Sequence, residues 1–144
     1  MQNKKILFGV LLSTLAFSAC ADGVHDLDLV NNTNQDSTAI INGGACSTSL
    51  PNGYGITKAH SSNHIPGRIV KGACGRDRQE NCSAKVYMTN HCHLNGEKEV
   101  ADAEFNVNTG DVKITMTEEG KKQGYNLHPS DQKYLIIMDG GPSN

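Results

Sequence analysis

The chain has 144 residues, 13 Lys and Arg against 15 Asp and Glu, and a formal net charge of −2, a length that fits one domain with a single core. Neither sign of charge is gathered into a block, and that balance excludes nucleic acid as a partner, because phosphate recognition needs a basic patch. With no Trp, three Phe and five Cys, the core is modest and covalent links are expected to supplement it.

At the N-terminus Lys4 and Lys5 precede a mainly apolar run from Ile6 to Phe17, followed by the small residues Ser18 and Ala19. This is the pattern of an export signal, predicted over residues 1–20. The run falls short of the roughly 20 residues a membrane-spanning helix needs. Phe17-Ser18-Ala19 before Cys20 resembles a bacterial lipobox. The resemblance implies lipid attachment at Cys20 and, with Ala21 rather than Asp next, passage to the outer membrane, facing the periplasm or the surface. Ala19-Cys20-Ala21 also reads as a cleavage site releasing Asp22, which predicts a free periplasmic or secreted product. Membrane contact is expected only through that lipid. Loss of Lys4 and Lys5 leaves 11 basic against 15 acidic residues, a formal charge of −4.

Residues 21–26 read as a short tether, 27–141 as the domain and 142–144 as a frayed tail. Leu27 to Asn31 alternates, Thr38 to Asn42 follows after a polar turn, and the two pair plausibly as a first hairpin. Tyr54 to Ala59 reads as a strand, and Ile65-Pro66-Gly67-Arg68 as a turn into Ile69-Val70. Ser83 to Thr89 is a strand by composition. Asn95-Gly96 is a two-residue hairpin signal leading into Val100 to Val107, where Ala101, Ala103, Phe105 and Val107 share one face. Asn108 to Asp111 turns the chain back into Val112 to Thr117, giving the best-defined hairpin. Tyr134 to Met138 is apolar on both faces and is expected in the middle of a sheet.

No amphipathic helix of ten or more residues stands out. The predicted fold is an all-β antiparallel sandwich of seven to nine short strands, immunoglobulin-like in general layout. The Cys-Trp-Cys hallmark is missing, and a small barrel is the alternative.

Either processing route removes Cys20 as a thiol and leaves Cys46, Cys74, Cys82 and Cys92, an even set for two disulfides in an oxidising compartment. Ten extended residues would carry Cys92 about 33 Å from Cys82, and a bridge needs Cα atoms about 5.5 Å apart. Pairing of Cys82 with Cys92 is therefore excluded by the strand between them, and the pairing of Cys46 with Cys74 goes with it. Of the two patterns left, Cys74 with Cys82 and Cys46 with Cys92 is favoured over the crossed one, because it closes a short polar loop at a hairpin tip.

That loop, Gly75 to Asn81, carries Arg76, Asp77 and Arg78. A bridge at its base lowers the entropy cost of docking, and exposed arginines are common interface anchors. His60, His64, His91 and His93 are the candidate ligands of a zinc or copper ion, although the His60–His64 spacing is a helical one in a segment that shows no helix. Glu97, Glu99, Glu118 and Glu119 read as a wet charged surface and not as a glycosidase pair. No serine-hydrolase elbow, phosphate loop or dinucleotide fingerprint is present, and Cys92 beside His91 and His93 is expected to be oxidised, not nucleophilic. The reading is a non-enzymatic exported binding module without a cofactor, recognising a protein or glycan of the envelope or host through disulfide-held loops. A His-based metal-binding protein and a hydrolase inhibitor are the alternatives.

Overall fold

A computed structural model describes residues 25–75, 81–132 and 134–143. Eight strands form two four-stranded sheets. One has the order β3 (Ser61–Ile65), β1 (Leu27–Asn31), β8 (Leu135–Gly140), β7 (Tyr125–Pro129); the other has β2 (Thr38–Ile41), β4 (Asn81–Tyr87), β5 (Ala101–Asn106), β6 (Val112–Met116). All neighbouring pairs are antiparallel except β1 with β8. The protein is thus a mostly β, two-sheet structure rather than a closed barrel.

The β5–β6 hairpin follows its alternation. Ala101, Ala103 and Phe105 point inward and are buried, Asp102 and Glu104 are exposed, and the register runs from Ala101↔Met116 to Phe105↔Val112. At its turn the Asn106 carboxamide oxygen accepts from the amides of Asn108 and Thr109, both at 3.0 Å, the usual way an Asn side chain replaces a backbone partner in a turn. β8 lies between β1 and β7, as a strand apolar on both faces should.

Four local expectations are corrected. β1 and β2 do not form a hairpin; they belong to opposite sheets. The reason is Asn31, fully buried, whose side chain donates to the carbonyls of Gln35 at 2.7 Å and Thr57 at 3.1 Å and accepts from the amide and hydroxyl of Thr33 at 3.0 and 2.7 Å. These bonds bend the chain from one layer into the other. The Tyr54 to Ala59 segment is not a strand: it contributes a single bridge, Ser37 with Thr57.

Gly67 and Arg68, expected in a turn, and Ile69 and Val70 after them lie in a helix, α1 (Gly67–Cys74). Pro66 sets its start, its carbonyl accepting from the amides of Ile69 and Val70, and Val70 and Cys74, four apart on one face, are buried. Asn95-Gly96 is not a tight hairpin turn, since the connection from Tyr87 to Ala101 is long; it carries Cys92 to its disulfide partner. A second short helix, α2 (Glu118–Lys122), is capped by Thr117, whose hydroxyl accepts from the Gly120 amide at 3.0 Å. Its acids stand in the first turn and its lysines in the last, complementing the helix dipole.

The buried core falls into two clusters. One contains Ile65, Val70, Cys74, Cys82, Phe105 and Val107; the other contains Val100, Ala101, Tyr125, Leu127, Ile136 and Met138. Leu27, Leu29 and Val112 pack against both.

Candidate functional site

Two disulfides tie the segments beside β4. Cys74 and Cys82 join the end of α1 to the start of β4 with Cα atoms 5.4 Å apart; Cys46 and Cys92 join the segments after β2 and after β4 with Cα atoms 6.1 Å apart. The first bridge therefore follows a helix, and the hairpin tip expected there is corrected accordingly. Arg76, Asp77 and Arg78 fall outside the described residues, as do residues 1–24 with Cys20.

The base of the 75–81 segment is described, and it is held twice. Besides the disulfide, the Asn42 side chain donates to the Cys74 carbonyl at 2.7 Å and accepts from the Ser83 amide at 2.9 Å. One carboxamide thus clamps the chain entering the segment to the chain leaving it. Asn42 does this from a left-handed backbone, φ 50, a conformation Asn tolerates better than most residues. Nothing in the local pattern announced this residue beyond its place before Gly43-Gly44.

The four candidate histidines are divided between the two sheets. His60 and His64 lie at β3: His60 contacts the Asn34 carboxamide oxygen at 2.7 Å, and His64 pairs with Asp28 on β1 at 2.5 Å and with Asp26 at 3.1 Å. Beyond β4, His91 contacts Thr89, Asn95 and Glu97, and the His93 ring leans on Tyr87 at 5.6 Å between centroids. Among the described residues no group of three His, Cys, Asp or Glu side chains is arranged to hold a metal ion.

His64 and its two carboxylates form a charged cluster on the first sheet, and sequence reading missed it. The alternation of β1 placed Asp28 outward, but only the β1–β3 register, Asp28↔His64, brings them together. The hydrogen bond that His64 donates to the Asp28 carboxylate raises its pKa above the ordinary 6.5, partial desolvation opposes this, and the charges of Asp28 and Asp26 add to the rise. Asp26 also accepts from the Gly67 amide at 2.6 Å, tying the lead-in to β1 to the start of α1.

The glutamates differ among themselves. Glu118 is almost fully exposed, whereas Glu99 is largely covered and meets Lys85 at 3.3 Å. Burial and a hydrogen bond with Asp102 raise the Glu99 pKa, with Lys85 opposing. For Glu97, desolvation would raise the pKa, but backbone amides and the neighbouring His91 and His93 bring it below the ordinary value.

Between the sheets lies a cavity of about 140 Å³ with an almost wholly apolar lining. It separates the two core clusters, and it explains why the inward-facing Leu29, Ile41, Val86 and Ile114 are only half-buried. Left unfilled, an apolar space of this volume costs about 3 kcal/mol at ~24 cal/mol per Å³, a large share of a typical stability of roughly 5–15 kcal/mol. A shallow groove between the 41–50 segment and the end of α1 adjoins it; Ile41, Ser47, Leu50, Ala73 and Cys74 line both.

Comparison with known proteins places the chain. The family model described as T2SS substrate NttC matches residues 3–133, so the chain belongs to the NttC family. The crystal structure of the Legionella pneumophila type II secretion system substrate NttC is similar in fold, with a TM-score of 0.62 at 22% identity over 81% of this chain and 97% of that one. No curated protein matches.

Proposed function

From membership of the NttC family, and hence export, we propose that the protein is a non-enzymatic binding module of the secretome that presents the Arg76-Asp77-Arg78 segment to a protein or glycan of the envelope or host. The observation that carries this reading is the double fastening of the segment's base by Cys74–Cys82 and by Asn42. Both ends of a short polar loop are fixed before any partner arrives, so less entropy is lost on docking.

The non-enzymatic part of the reading is supported by how two of the described histidines are used. Both ring nitrogens of His64 face carboxylates, and those of His91 face Thr89 and Asn95. A general base needs a nitrogen turned toward a substrate proton.

The finer location follows from Cys20. Acylation there keeps the module on the outer membrane; cleavage before Asp22 frees it. An intact mass of the exported protein separates the two.

Replacing Arg76 and Arg78 together by alanine tests the binding reading. Retention on arrayed glycans and on immobilised envelope fractions is expected to disappear while the melting temperature stays unchanged. Undiminished retention removes the loop from the account.

A further inference from the structure

We propose that the space between the two sheets binds one unbranched hydrocarbon chain, an alkyl or fatty-acyl group, at a site distinct from the arginine loop. The site originates in one row of the second sheet. Register places Ile41, Ala84, Ala103 and Ile114 side by side across β2, β4, β5 and β6, and all four line the cavity. The two central members are alanines, too short to reach Leu29 and Ile136, which are paired on the facing sheet. Larger side chains at those two positions would have closed the core; the alanines leave it in two halves.

The lining decides what the space accepts. Two of its hydroxyls are already engaged: Ser47 donates to the Gly55 carbonyl at 2.6 Å and accepts from the Ala39 amide at 2.9 Å, and Thr38 donates to the Thr89 carbonyl and accepts from the Cys92 amide, both at 2.9 Å; among the described residues no buried side-chain nitrogen or oxygen lacks a partner. A sugar, nucleotide or peptide would lose its hydration there without replacement, whereas apolar cavities of comparable size take up small hydrocarbons.

Shape favours a chain over a fused ring system. The cavity follows the inward positions Cys82, Ala84 and Val86 of β4, about 13 Å at roughly 3.3 Å per residue, and is confined to the gap between two layers. The groove that shares its wall at Ile41, Ser47, Leu50 and Ala73 is where a polar end of the ligand emerges.

The test uses the exported, disulfide-bonded protein stripped of lipid by organic extraction. Calorimetric titration with decanoate is expected to show saturable one-to-one binding, and n-octane to raise the melting temperature. Ala103→Leu and Ala84→Leu are each expected to fold and to bind decanoate at least tenfold more weakly. The mass of the extracted material tells a free fatty acid from the acyl chain of a larger lipid; either supports the site. Absence of saturable binding by the wild type, or undiminished binding by a folded leucine variant, overturns it. Should both variants unfold, octane-induced methyl shifts in the wild type confined to residues other than Leu29, Ile114 and Ile136 overturn it instead. Alanine at Arg76 and Arg78 leaves decanoate binding intact, so failure of this proposal and failure of the loop reading are separately visible.

Discussion

Gly110 lies against one edge of the Tyr134 ring: a Cβ built on Gly110 would stand 1.1 Å from the tyrosine Cε1 and 1.5 Å from its Cδ1. The glycine belongs to the β5–β6 turn and the tyrosine to the start of β8, so this close approach joins the two sheets at one end. One face of the Tyr134 ring is covered by His25, stacked at 4.1 Å between centroids.

Gly110→Ala is therefore expected to destabilise the protein by about 2–4 kcal/mol, from overpacking against the ring and from a left-handed backbone with φ 71. Urea unfolding measures the loss, and a double variant with Tyr134→Ala should recover the steric part of it. Full additivity of the two losses would show that the contact does not limit the site.

Asn42→Ala should cost about 1–3 kcal/mol by leaving the Cys74 carbonyl and the Ser83 amide without a partner and by placing alanine at φ 50. Asn42→Gly keeps the backbone conformation accessible and isolates the hydrogen-bond share. Equal stability of wild type and both variants in thermal melts would contradict the clamp.

The Asp26–His64–Asp28 cluster makes stability pH-dependent. Its histidine has a folded pKa above the ordinary 6.5 because of the Asp28 hydrogen bond, so the contribution is fully present below 6.5 and is lost as pH rises through the folded value. His64→Gln should accordingly destabilise more at pH 5.5 than at pH 8.5. NMR titration of His64 should give a raised pKa in the wild type and a lower one in Asp28→Asn; identical values in the two would refute the pairing.

The two disulfides should not contribute equally. They close segments of 46 and 8 residues, and restricting the unfolded chain is worth about 1–2 kcal/mol more for the longer loop. Replacement of Cys46 and Cys92 by alanine is expected to lower stability more than the same change at Cys74 and Cys82. The reverse order in urea midpoints would indicate that native contacts outweigh chain entropy.

What could be read from sequence was local and periodic. The faces of β5 and β6 follow from alternation at Ala101, Ala103, Phe105 and at Val112, Ile114, Met116, and the central place of β8 follows from an apolar run with no solvent face. The departures arose where one side chain redirected the backbone: Asn31 turned an apparent hairpin into a crossing between layers, and Pro66 opened a helix too short for its period to register. The cavity was hidden for another reason. Ala84 and Ala103 are ordinary strand residues in isolation, and only a register linking positions far apart in the chain sets them side by side opposite Leu29.

The parallel pairing of β1 with β8 has a kinetic meaning. β8 is inserted between β1 and β7, so this sheet closes only when strands far apart in the chain come together. Such long-range closure is slow, and a chain interrupted before Leu135 keeps β1 joined only to β3, with one whole edge of β1 open to other chains. Seating of β8 is therefore the step that both joins β7 to this sheet and covers the open edge of β1.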